Sequence, residues 1–214
     1  IDAAMDRVMK ESAFIKGPLV DSFEKEYAVW NEAKNFIGCA NGTDAIEMAL
    51  KASGIGPGDE VIVPANTWIS TAEAVTSVGA RVVFVDNHPR LYTIDVSKIE
   101  DKITSKTKAV IAVHLYGMPA ELDEIQSLAK KHGLILFEDC AQSHGARYKG
   151  KMVGTFGKAS MFSFFPGKNL GAYGDAGGIA CAEDDLAQRL RQLGNHGRTG
   201  KFDHAFEGRN SRLD

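Results

Sequence analysis

Short apolar runs alternate along this chain with segments whose apolar residues recur every three or four positions. The runs 36–39, 61–63, 82–85, 109–113, 134–137 and 161–165 are apolar on consecutive residues, which is the pattern of strands buried on both faces, and 178–181 adds a short further strand. Between them, 43–53, 67–78, 121–132 and 184–194 carry helical spacing. Ahead of them all, 21–31 spaces Phe23, Tyr27 and Trp30 as one stripe of an amphipathic helix, a stripe that reads as core. Repeated strand–helix units predict an α/β fold whose mixed, mainly parallel sheet carries helices on both faces. Ligands of such sheets sit beyond the carboxyl ends of the strands, which gives weight to Pro64, Asp86, His114 and Asp139.

Composition narrows the class. With 214 residues, 44% of them hydrophobic, the chain can bury one substantial core. Its net charge of −3 comes from 25 basic and 28 acidic residues without long runs of either sign, so neither nucleic acid nor a membrane surface is an expected partner. Cys39, Cys140 and Cys181 are odd in number and far apart, which predicts no disulfide framework or zinc site and fits a reducing cytoplasm. The chain has no apolar run of 18 residues or more, and no hydrophobic signal core at its amino end.

Candidate chemistry concentrates in 160–178, where Lys168 stands among apolar and glycine residues. A lysine desolvated in such a setting is available as a neutral amine, which forms a Schiff base with an aldehyde. The alternatives are an ordinary loop lysine and a phosphate-binding P-loop; the latter fails because Asn169 follows the lysine and Phe162 stands where the first glycine belongs. Ser163, at the end of the preceding strand, offers a hydroxyl for a phosphate. The strand 134–137 runs into Glu138 and Asp139, which alternation sends to opposite faces; Asp139 is the one expected to pair with a protonated ring nitrogen, its alternative being a helix cap. Gln142 is then placed to meet a ring hydroxyl. Asn41-Gly42-Thr43-Asp44 leads from a strand into a helix, where the N–H groups of Thr43 and Asp44 would face an anion or simply serve as a cap. Trp68, at another strand–helix junction, either stacks on a flat ring or lies in the core. The histidines show no ligand spacing, and no metal site is expected.

Taken in order, Gly17-Pro18-Leu19-Val20, Asn41-Gly42-Thr43-Asp44-Ala45, Val113-His114-Leu115-Tyr116-Gly117, Glu138 to Ala146, Phe162 to Gly171 and Asn195-His196-Gly197 resemble the DegT/DnrJ/EryC1/StrS sugar aminotransferases, enzymes of the aspartate-aminotransferase fold. The resemblance implies pyridoxal 5′-phosphate as cofactor and transfer of an amino group from L-glutamate to a nucleotide-linked keto-sugar. It makes Lys168 the cofactor-binding lysine, Asp139 the partner of the pyridine nitrogen and Gln142 the partner of its hydroxyl. Gly42, Thr43 and Ser163 become phosphate ligands, and Trp68 the stacking ring. Asn210 matches an asparagine that reaches the cofactor of a second subunit, implying a homodimer with shared active sites. Relatives that dehydrate sugars have histidine where this chain has Lys168. A regulatory relative, or a nucleotide-binding module without covalent chemistry, is the competing expectation. The resemblance also implies that residues 1–214 are the large, cofactor-binding domain, without the family's smaller carboxy-terminal one.

Overall fold

The computed structural model describes residues 1–213. In chain order they form α1 (Asp2–Glu11), α2 (Pro18–Trp30), β1 (Asn35–Cys39), α3 (Gly42–Ala52), β2 (Glu60–Pro64), α4 (Ile69–Ser77), β3 (Arg81–Val85), β4 (Thr107–Val113), α5 (Leu122–His132), β5 (Ile135–Asp139), β6 (Arg147–Tyr148), β7 (Lys151–Met152), β8 (Ala159–Ser163), β9 (Gly177–Cys181) and α6 (Asp184–Leu193). Seven strands make one sheet in the order β1-β9-β8-β5-β4-β2-β3, while β6 and β7 form a separate small hairpin. β9 is antiparallel to both of its neighbours, and the other pairings are parallel. The sheet is therefore mixed through one reversed strand, and β1, β2, β4, β5 and β8 all end on the same side as the start of β9.

The two-residue period of the strands sorts the core into two layers. Ile37, Val61, Val63, Ile111, Phe137, Met161 and Ile179 face a cluster completed by Ile46 and Leu50 of α3, Val75 of α4 and Leu190 of α6. Phe36, Ile62, Val110, Leu136, Phe162 and Ala180 face the other layer, with Tyr27 of α2 and Leu122 and Ile125 of α5. Asp139 shares the parity of Phe137, and Glu138 that of Leu136.

Several boundaries differ from the sequence reading. α2 begins at Pro18, earlier than predicted, because proline at the first helical position loses no hydrogen bond there. β3 is an edge strand with Phe84 exposed, not a strand buried on both faces. β8 stops at Ser163; Phe164 and Phe165 lead into the lysine loop. The β6–β7 hairpin is too short to show a period, and α1, whose Met5, Val8 and Met9 have helical spacing that the sequence reading passed over, buries none of its residues.

Candidate functional site

The strand ends and the first turns of α3 and α4 enclose a cavity of about 720 Å³, within the ordinary range of small-molecule sites. Gly42, Thr43, Trp68, Asp139, Gln142, Ser163 and Lys168 all line it. Asn210 does not, and neither do Pro64, Asp86 and His114, the other strand-end residues given weight in the sequence. Asn210 is exposed, beside Ser211, whose hydroxyl accepts from the Ala40 N–H at 3.1 Å.

At one pole α3 presents its amino end. Asn41 caps the helix, its side-chain oxygen accepting from the Asp44 N–H at 2.8 Å. This corrects the expectation for Asp44: the N–H groups left without a partner among the described residues are those of Gly42 and Thr43. Opposite them is Ser163, so close that a Cβ on Gly42 would stand 2.8 Å from the serine Cβ. Gly177 makes the approach possible from below, since a Cβ there would lie 2.4 Å from the Asn41 backbone. Free N–H groups, a helix dipole and the Ser163 hydroxyl form a cup of the kind that holds a phosphate.

At the other pole lies Asp139, which the alternation argument had placed on this face. It is buried; Oδ1 accepts from the Ala141 N–H at 3.1 Å and Oδ2 from the Thr71 hydroxyl at 2.8 Å. Burial raises its pKa above the ordinary carboxylate value, opposed by those two hydrogen bonds and by the charge of Lys168. The cap reading of Asp139 is met only by the Ala141 bond, in a turn and not a helix.

Gln142 is held by its carbonyl: Oε1 accepts from the Tyr116 N–H at 2.8 Å. Tyr116 has φ 57°, the left-handed region, and that conformation turns its N–H toward the glutamine. The amide NH₂ of Gln142 is thereby left to donate to a ligand oxygen. Trp68 is the residue before α4 and is 70% exposed, which removes the core alternative for it. Lys168 is half-buried on the cavity wall, with no ion pair or side-chain hydrogen bond among the described residues. Its loop is more open than its apolar sequence suggested: Phe165, Leu170 and Tyr173 are exposed.

The structure also shows positions that the sequence did not flag. Thr67, just ahead of α4, and Ser70 and Thr71 on its first turn put three hydroxyls together, with Thr43 donating to Ser70 at 2.8 Å and Thr67 meeting Thr71 at 3.0 Å. The i, i+4 spacing of Thr67 and Thr71 at a predicted helix start was the available signal. His144 packs between Phe162 and Phe164, with Nδ1 2.7 Å from the Tyr27 hydroxyl and Nε2 2.9 Å from the Ser163 carbonyl oxygen. Burial is the main reason its pKa falls.

On the far side of β5, His114, Glu138 and Cys140 come within ligand distance of one another. The polar atoms of His114 and Glu138 are already committed. Nδ1 of His114 accepts from the Ala120 N–H at 3.0 Å, so its proton sits on Nε2, 3.1 Å from Glu138. Glu138 also accepts from the N–H groups of Gly154, Phe156 and Gly157, each at 2.7 Å, and from the Ser160 hydroxyl at 3.1 Å.

An anion cup, a buried carboxylate, an amide donor, an exposed indole and an unpaired amine around one cavity fit a flat, phosphorylated pyridine aldehyde. The model of the DegT/DnrJ/EryC1/StrS aminotransferase family matches residues 1–214. The chain is 50% identical over 210 residues to the pleiotropic regulatory protein of Geobacillus stearothermophilus, covering 98% of this chain and 56% of that protein. It is 46% identical over 214 residues to the UDP-2-acetamido-2-deoxy-3-oxo-D-glucuronate aminotransferase of Pseudomonas aeruginosa, covering 100% and 60%. The crystal structure of Streptomyces venezuelae DesV in complex with a ketimine intermediate matches with a TM-score of 0.97 at 46% identity, covering all of this chain and 57% of that one. The chain spans a little over half the length of each of these proteins.

Proposed function

The chain belongs to the DegT/DnrJ/EryC1/StrS aminotransferase family, and from that membership and the cavity we propose that it is the large domain of a pyridoxal-phosphate aminotransferase moving an amino group from L-glutamate to a nucleotide-linked keto-sugar. The observation that carries the proposal is the convergence of Lys168, Asp139, Gln142, Trp68 and the Gly42–Thr43–Ser163 cup on one cavity. When bound, the cofactor supplies an electron sink for charge developing at the amino-bearing carbon. Lys168 would hold the cofactor through its aldehyde and, as a free amine, would take up and return the proton as base and then acid. Asp139, ionised, keeps the proton on the ring nitrogen. The NH₂ of Gln142 donates to the ring oxygen, and the helix end of α3 with Ser163 fixes the phosphate. Trp68 covers one ring face and excludes water from it.

The same proposal includes a homodimer in which Asn210 reaches the partner's cofactor. Its exposure outside its own chain's cavity, and the open lysine loop, support that arrangement. Three free, buried cysteines support a reducing, cytoplasmic setting, and among the described residues no helix is long and apolar enough to cross a membrane.

The test is the absorption spectrum of the purified protein with pyridoxal phosphate, beside Lys168→Ala. A band near the visible edge that borohydride abolishes, missing from the variant, is the expected result; no band in the parent would refute the cofactor assignment and leave a nucleotide-binding module. A regulatory role on the same fold is a second reading, supported by the name of the Geobacillus relative. Release of 2-oxoglutarate from glutamate, coupled to amination of a dTDP- or UDP-keto-sugar, separates the two.

A further inference from the structure

We propose, resting on the cofactor reading above, that the first turn of α4 sets the charge state of the site: Thr71, backed by Thr67, is a positioning residue that keeps Asp139 ionised toward the ring nitrogen. Thr71 is fully buried and gives its one hydroxyl proton to Asp139 Oδ2 at 2.8 Å. With that proton committed, the 3.0 Å contact between Thr67 and Thr71 has a single polarity, Thr67 donating. The hydroxyls thus form a relay that ends on the carboxylate, each bond polarising the next.

The neighbouring acid shows why one hydroxyl matters. Glu138 has five donors, and although burial pushes its pKa up, they hold it below the ordinary value. Asp139 has two, and there burial prevails. The other titratable groups acting on Asp139 are His114, at the end of β4, and Lys168. The hydrogen bonds that hold the ionised form against burial are those of the Ala141 N–H and the Thr71 hydroxyl. Ser70, on the same turn, receives the Thr43 hydroxyl at 2.8 Å, so one helical turn spans both poles of the cavity.

Thr71→Val keeps the shape and removes the donor; Thr71→Ser keeps the donor. With ¹⁵N-labelled pyridoxal phosphate bound to the purified protein, the ring-nitrogen resonance reports whether that nitrogen holds its proton. The parent and the serine variant are expected at the protonated position. The valine variant is expected to move toward the unprotonated one, with a cofactor dissociation constant about tenfold to a hundredfold higher. Thr67→Val should shift the resonance less, in the same direction. A valine variant at position 71 with the parent's resonance and affinity overturns the inference and leaves the cofactor reading standing. Should that variant fail to fold, Thr67→Val decides: a resonance identical to the parent's overturns the relay. A parent without a Lys168-dependent band overturns both.

Discussion

Glu138 and Asp139 are consecutive, both buried, and displaced in opposite directions. The difference lies in how many donors reach each carboxylate, and it has opposite consequences for stability. Glu138, held low, stabilises the fold above its unfolded value of 4.5, and that contribution is lost as the pH falls through the lower folded value. Asp139, held high, favours the fold below 3.8, and its contribution is lost as the pH rises through the raised value. Ligand-free Asp139→Asn is therefore expected to melt at or above the parent at neutral pH, with an advantage that shrinks toward about pH 4; calorimetry across that range checks it. Glu138→Ala strips the acceptor from the N–H groups of Gly154, Phe156 and Gly157 and should cost about 3–5 kcal/mol in denaturant unfolding. Strand alternation was enough to tell which acid faces the cavity. The partners of Glu138 were not legible, because they come from residues 114 and 154–160 through contacts that no local pattern encodes.

At the scale of elements, the anion cup depends on how α3 starts. Asn41→Ala removes the cap on Asp44 and should cost about 1 kcal/mol, read from the denaturation midpoint. Gly177→Ala is expected to act differently. Its new methyl would meet the backbone of Asn41 and Gly42, which has no rotamer to yield, so the first turn of α3 must move. About 1–3 kcal/mol of overpacking should appear, and affinity for pyridoxal phosphate should fall more than affinity for pyridoxal, which lacks the phosphate; titration of both checks it. Strands and helices long enough to show a period, such as β4 and α5, were legible in the sequence. The two-residue strands β6 and β7 were not, since two positions hold no period, and the free N–H groups were shifted by one residue because the Asn41 side chain takes that of Asp44.

On the scale of the whole molecule, the exposed aromatic residues around the cavity mouth and the outward position of Asn210 belong to the proposed dimer. Sedimentation is expected to find a dimer, and Asn210→Ala to weaken cofactor binding while leaving that dimer intact; equal affinity in parent and variant would remove Asn210 from the site. The sheet order carries a consequence in time. β1 pairs only with β9, so Phe36 cannot find Ala180 until almost the whole sheet has been synthesised. At roughly 5–20 residues per second, that wait is on the order of ten seconds. Throughout it the newborn chain shows an unpaired apolar edge, the kind that recruits chaperones or other chains. The cup closes only when Gly177 docks beneath Asn41, so a chain that has captured its cofactor has, by that capture, finished its sheet.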